Sequence, residues 1–298
     1  MKGLFKVVGM ILITLFPLHA KANDGLAFLK LGPTSREQAL ANTGVASGKG
    51  AALNYYNPAW MVGRESSSVS FSQNFWLLDT YSSFVSAAFT EESSAIGVSL
   101  AWLSVKDIPV RTSPTLEPIG FINSQNAALG VSYARAVSEK LNLGIGLKLL
   151  YEKLYYEDAT GYGLDFSSAY AFSSDLKVGL SLQNVGSMSK LASESSTLPT
   201  LLRSGVSYNY HFQSIQSQLL TEISIISVFS ETSSVHVGHE FGYNNLFFAR
   251  IGYIFGNDTR SFSTGFGLNY NNWSIDYAFI PFSNDLGSAN LFTIQYNY

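Results

Sequence analysis

The stretch Leu141-Asn142-Leu143-Gly144-Ile145-Gly146-Leu147-Lys148-Leu149-Leu150-Tyr151-Glu152 decides the fold. Leu141, Leu143, Ile145, Leu147, Leu149 and Tyr151 share one parity. Asn142, Gly144, Gly146, Lys148, Leu150 and Glu152 share the other. Successive side chains on a strand point to opposite faces, so one face is apolar throughout while the other is mostly small or polar. A soluble sandwich alternates in the same way, but its strands run to about five or six residues. This segment is twice that length and suits a tilted membrane strand, which needs about nine to eleven.

Working outward, the same period recurs from about Ser67 to the end of the chain. Tyr162, Leu164, Phe166, Tyr170 and Phe172 alternate with Gly161, Gly163, Asp165, Ala169 and Ala171. Phe247, Ala249, Ile251, Tyr253 and Phe255 alternate with Phe248, Arg250, Gly252 and Ile254. Trp273, Ile275, Tyr277 and Phe279 alternate with Ser274, Asp276 and Ala278. Isolated charges sit on the polar parity: Lys148, Asp165, Lys177, Arg203, Glu222, Glu240, Arg250 and Asp276. The apolar parity is almost free of charge. A charge facing lipid at the midplane costs about 2–4 kcal/mol, which accounts for that exclusion. The eight charges are therefore expected inside a lumen, as contacts to a plug or a pore.

Fourteen such segments can be counted, near 67–77, 80–90, 94–105, 124–137, 140–153, 160–172, 175–186, 199–211, 216–228, 233–243, 246–256, 259–270, 272–281 and 288–298. Short turns join them at Glu91-Glu92-Ser93, Ser138-Glu139-Lys140, Ser173-Ser174-Asp175, Asn244-Asn245 and Asn271-Asn272. Longer links fall at 106–123, 154–159, 187–198, 256–259 and 282–287. Short periplasmic turns alternating with longer extracellular loops are the habit of bacterial barrels. An even count puts both barrel ends on the periplasmic side.

Composition agrees. Only 13% of the 298 residues are charged, about half the usual share, while 14% are aromatic. A water-facing surface needs charge; a lipid-facing surface and its interfaces favour aromatics. The net charge of -3 argues against nucleic acid as a partner, since phosphate binding needs a basic surface. With no cysteine, thiolate metal sites, disulfides and thiol nucleophiles are excluded. Lys2 and Lys6, the apolar run Val7 to Leu18 and Ala20-Lys21-Ala22 read as a signal peptide over residues 1–22. No later apolar run is long enough for a membrane helix, so any membrane span must be made of strands. The final strand alternates Phe292, Ile294, Tyr296 and Tyr298. A terminal aromatic of this kind resembles the C-terminal signature that the barrel assembly machinery reads.

Residues 24–65 lack strand periodicity. Phe28-Leu29-Lys30-Leu31-Gly32 reads as a short turn or strand, and Ser35 to Ala41 as one or two helical turns capped at Ser35. The segment closes on Asn57-Pro58-Ala59, a turn starter. Ala27-Phe28-Leu29-Lys30-Leu31-Gly32, Arg36, Ala39-Leu40-Ala41, Gly44-Val45-Ala46 and Tyr56-Asn57-Pro58-Ala59 together resemble the N-terminus of the PorV/PorQ family. Its pattern departs at Glu37 to Thr43, where the family carries glycines, and at Ser47-Gly48-Lys49-Gly50, where it carries acidic residues. The Asn-Pro-Ala turn is shared with the FadL-like barrel superfamily. The resemblance implies a fourteen-stranded barrel with an N-terminal plug. It also implies association with type IX secretion through cargo reception or attachment, by protein–protein contact. A FadL-like channel for hydrophobic small molecules is the alternative, and would need inward apolar side chains such as Leu103, Leu150, Phe248 and Ile254.

Catalytic chemistry is not indicated. His236 and His239 are three apart on a strand and face opposite sides, so they cannot share a metal. His211 sits near a turn. No G-x-S-x-G elbow occurs among the many serines. Gly161-Tyr162-Gly163 and Gly265-Phe266-Gly267 lack the following helix that a nucleotide loop requires. The sequence therefore reads as an all-β transmembrane antiparallel barrel of about fourteen strands in a Gram-negative outer membrane. Its parts are a signal peptide over 1–22, a plug over 23–66 and a barrel over 67–298, with no enzyme activity, cofactor or metal. Outer-membrane lipid and possible secretion components or cargo are the expected partners. Arg36, Asn57, Pro58 and Ala59 are the expected structural motif of the plug.

Overall fold

A computed structural model describes residues 25–298, except 115, 192–195, 230 and 232. The expected signal peptide lies outside the described residues. Among these, fourteen strands form one closed barrel: β1 (Ser68–Phe75), β2 (Thr80–Thr90), β3 (Ser94–Val110), β4 (Gly120–Ala136), β5 (Leu141–Leu154), β6 (Glu157–Ala171), β7 (Leu176–Met188), β8 (Leu201–Phe212), β9 (Ser217–Val228), β10 (Ser234–Tyr243), β11 (Phe247–Phe255), β12 (Phe262–Tyr270), β13 (Trp273–Pro281) and β14 (Ser288–Asn297). Each pairs antiparallel with its sequence neighbours. β1 closes on β14 from Ser68↔Asn297 to Phe75↔Asn290. Closure leaves no edge strand, so the wall strands satisfy one another's amides without water.

Parity along the strands decides which face is which. On β5, Leu143, Ile145, Leu147 and Leu149 are 46–56% exposed, whereas Leu150, next along the chain on the other face, is 3% exposed. The outward aromatics gather at the two ends of the wall. Tyr170–Phe172, Tyr210–Phe212 and Trp273–Tyr296 mark the end where β1 begins and β14 stops. Phe75–Tyr81 and Tyr253–Phe255 mark the opposite end. Amphipathic rings settle at headgroup depth, so the two girdles bracket the hydrocarbon. The first end carries mostly short turns and is the periplasmic one.

Two links expected to be loops are in large part strand. Pairing of β3 with β4 continues through Ile108↔Ile122 to Val110↔Gly120, past a bulge between Val105 and Ile108. Only 111–119 connects them. Likewise 154–159 shrinks to a turn at 155–156, because β5 and β6 pair out to Leu154↔Glu157. Both hairpins rise beyond the apolar band. There neither face contacts lipid, so the alternation that marks membrane strands fades while the hydrogen-bond ladder continues.

Residues 25–66 run inside the barrel as short helical pieces: 3₁₀ turns at Ala27–Lys30, Gly50–Ala52 and Pro58–Met61, and α-helical turns at Ser35–Ala39 and Leu53–Tyr56. The first is a helical turn rather than a strand. Thr34, not Ser35, is the N-cap residue of the Ser35 helix. The Ser35 hydroxyl is instead 2.8 Å from the Thr293 hydroxyl on the wall. A tertiary partner has outcompeted the local cap.

The inward wall is built small where this segment presses on it. Ala88, Ala95, Ala134 and Ala169 pack against Leu53, Trp60 and Met61. Gly179 and Gly252 allow main chain to touch main chain: a Cβ on Gly179 would lie 1.9 Å from the Val45 carbonyl oxygen, and one on Gly252 would lie 2.2 Å from the Ala41 nitrogen. Gly179→Ala is therefore expected to destabilise the protein by about 1–3 kcal/mol, the usual cost of overpacking. The check is the denaturant midpoint beside that of Gly120→Ala, whose added methyl meets nothing within 4 Å. Equal midpoints would refute the tight seating of Val45.

Candidate functional site

The chemistry-bearing residues converge on the contact between plug and wall. Arg36 leaves the Ser35–Ala39 helix and meets Glu240 on β10 with two nitrogens, at 2.8 and 3.1 Å. Its third nitrogen reaches Glu37 at 2.9 Å and the Ser47 carbonyl at 3.1 Å. Lys49 donates to Glu240 at 2.9 Å. Arg250 on β11 donates to it at 2.7 Å and to Asp276 on β13 at 2.6 Å. Three cations and three carboxylates thus share one network, and all but Lys49 are buried. Burial opposes the Arg36 charge, but Glu240 and Glu37 outweigh it and hold its pKa above the ordinary value. A buried ion needs such partners, because desolvation costs several kcal/mol each.

Of the remaining inward charges, Glu222, Arg203 and Lys177 turn toward the plug, while Lys148 and Asp165 pair with each other on the wall. Glu222 on β9 accepts from the Gly44 amide at 2.9 Å, the Ala46 amide at 3.3 Å and the Ser224 hydroxyl at 2.7 Å. Arg203 on β8 donates to Gln183 at 3.0 Å and to the Asn42 carbonyl at 3.3 Å. Its guanidinium lies 5.6 and 5.5 Å from the ring centres of Tyr55 and Tyr56, within cation–π range. Lys148 pairs with Asp165 at 2.8 Å and donates to Asn184 at 2.7 Å. Lys177 stands 5.5 Å above the Trp60 ring. Seven of the eight are therefore held by polar groups, and Lys177 by a ring.

Asn57 supports the turn with both ends of its amide. Its oxygen accepts from the Ala59 amide at 3.2 Å. Its nitrogen donates to the Val45 carbonyl at 2.8 Å and to the Ser168 carbonyl on β6 at 3.0 Å. Pro58 occupies the first position of the 3₁₀ turn, where a missing N–H costs nothing. The Ser167 hydroxyl accepts from the Ala59 amide at 3.3 Å. The turn thus docks on β6 through Ser167 and Ser168.

Glu37, Lys49, Tyr55 and Trp60 belong to the same site but carry no periodic signal, since the plug has no period to mark its inward side; Tyr56 joins them and is marked only by the local motif it opens. Leu103 and Leu150 are buried against Leu26, Phe28 and Leu29 in the extracellular half. The cavity left beside Phe28, Leu29, Tyr55, Phe84 and Leu103 is about 40 Å³. That is room for water, against the roughly 300–1,000 Å³ of a small-molecule pocket. His236 faces the lumen and its Nδ1 lies 2.5 Å from the Ala41 carbonyl. His239 faces outward beside Thr221, at 2.9 Å, and His211 lies 3.2 Å from Asp175.

A family model described as type IX secretion system protein PorV matches residues 20–229. The fold is similar to solved outer-membrane barrels. The toluene transporter TbuX of Ralstonia pickettii is 15% identical, with a TM-score of 0.63 over 90% of this chain and 98% of that one. The toluene transporter TodX of Pseudomonas putida is 12% identical, with a TM-score of 0.64 over 94% and 99%. A Pseudomonas aeruginosa FadL homologue is 10% identical, with a TM-score of 0.55 over 89% and 98%. At such identities the likeness is one of fold. No curated protein matches the sequence.

Proposed function

The chain belongs to the PorV family of type IX secretion system proteins, an outer-membrane barrel family, and on that premise we propose that it acts as a non-enzymatic docking component of the secretion pathway. In this reading it receives secreted protein at the outer membrane, or supports its attachment, through protein–protein contact. The observation that carries the proposal is the plug, which Arg36, Glu240 and Glu222 bind to the wall at several independent points. A lumen filled in this way favours work done at the rims and the outer wall. The projecting β3–β4 hairpin offers one such surface, with Ile119 and Phe121 exposed to 68% and 62%. Outer-membrane lipid surrounds the wall, and the C-terminal strand ending at Tyr298 is the element presented to the barrel assembly machinery.

A second reading is passage of hydrophobic small molecules. It is favoured by the toluene transport carried out by TbuX and TodX and by the apolar cluster around Phe28 and Leu150. The cavity of about 40 Å³ would have to grow by plug movement for this to operate. A pull-down of the tagged protein from detergent-solubilised membranes separates the two. Co-purification of secretion components or cargo is the expected outcome. Bound hydrocarbon or lipid inside the barrel, with no protein partner, would decide for the second.

A further inference from the structure

At the periplasmic mouth, the plug and the ends of β7 to β10 leave a polar recess of about 170 Å³. Ser47, Lys49, Arg64, Lys177 and Asn209 line it, with Asp175 and Glu240. A second recess of about 420 Å³ shares Lys49 and Arg64 with it, so the site is open to solution.

Its donors are in excess. Arg64 is held by two main-chain carbonyls, with Nε donating to Trp60 at 2.8 Å and Nη2 to Gly48 at 3.2 Å. A guanidinium has five N–H donors, so three remain for a ligand, on a side chain already oriented. Among the described residues neither Arg64 nor Lys177 forms an ion pair. Lys177 rests over the Trp60 ring at 5.5 Å, a contact that uses none of its three N–H bonds. Ser47 is 9% exposed and its hydroxyl has no hydrogen-bond partner. On the acceptor side, Glu240 already serves Arg36, Lys49 and Arg250, and Asp175 sits beside His211. Two cations without an ion pair and an idle buried hydroxyl around a water-accessible recess make a site for a group that is all acceptor.

We propose that this recess binds an oxyanion, a carboxylate or phosphate group entering from the periplasm, between Arg64, Lys177 and the Ser47 hydroxyl. Arg64 supplies the fork, which suits two oxygens of one group. Lys177 supplies a point charge from the opposite wall. The oxyanion can be a free small anion or an acidic side chain of a peptide, and the two sources are separable.

The test is calorimetric titration of the folded full chain in neutral detergent at low salt. Inorganic phosphate and hexa-aspartate are the probes. Saturable binding is expected, weakened about tenfold or more by either Arg64→Gln or Lys177→Gln, since each removes a charged hydrogen bond. Lys140→Gln, on an exposed turn at the same end, should leave it unchanged. Lys177→Arg should restore it, which carries the test should Arg64→Gln fail to give the compact band of a folded barrel on unheated gels. Hexa-aspartate binding tighter than phosphate and displacing it identifies a peptide source. Phosphate binding that hexa-aspartate does not disturb identifies a free anion. Saturable binding of neither probe, or wild-type affinity in the Lys177→Gln variant, overturns the proposal.

Discussion

Glu240→Ala is expected to destabilise the folded protein by about 3–5 kcal/mol, the cost of leaving buried charge without its partner. Glu240 is the single carboxylate that Arg36, Lys49 and Arg250 all touch. Its loss strips the plug of its main ionic tie and leaves Arg250 with Asp276 alone. Arg36→Ala should cost less, because Glu240 then keeps Lys49 and Arg250. That ordering distinguishes a hub from a simple pair. Guanidinium unfolding in detergent measures the midpoints, and limited proteolysis reports whether residues 25–66 become accessible while the barrel stays closed. A midpoint for Glu240→Ala no lower than that for Arg36→Ala would refute the hub.

The second large effect comes from moving a lysine one residue along β5. Lys148 is accepted inward because Asp165 and Asn184 receive its ammonium. Leu147, its neighbour, is 46% exposed on the lipid face near the middle of the strand. Leu147→Lys should destabilise the barrel by about 2–4 kcal/mol in a bilayer. The penalty falls steeply toward the interface, and Lys153 near the extracellular end of the same strand shows a lysine tolerated there. Refolding into vesicles across a denaturant series measures the difference. The same substitution in detergent should cost less, since a micelle thins around a charge. A bilayer cost below about 1 kcal/mol, the interfacial value, would mean that Leu147 does not face hydrocarbon.

Much of the architecture is legible from residues alone. The parity of Leu147 and Lys148 separates the lipid face from the lumen without knowledge of any neighbour, and fourteen such strands can be counted from their turns. The family model and the closed sheet agree with that reading. The hairpins over 106–123 and 154–159 escape it, because above the membrane no lipid imposes alternation. The plug escapes it for a different reason. A segment broken into helical pieces of three to five residues is too short in each piece to establish a period, so Glu37 and Lys49 carry no periodic mark.

The sequence by itself determined the barrel, the inward set of charges and the family, since each depends on order along the chain: parity, spacing and a local motif. Only the tertiary structure decided which charge meets which. Arg36 and Glu240 are 204 residues apart, and Gly44 and Glu222 are 178 apart. Such pairs exist because closure brings all fourteen inward faces around one volume that the plug must fill. Their matching is a property of that shared space, and no local pattern encodes it.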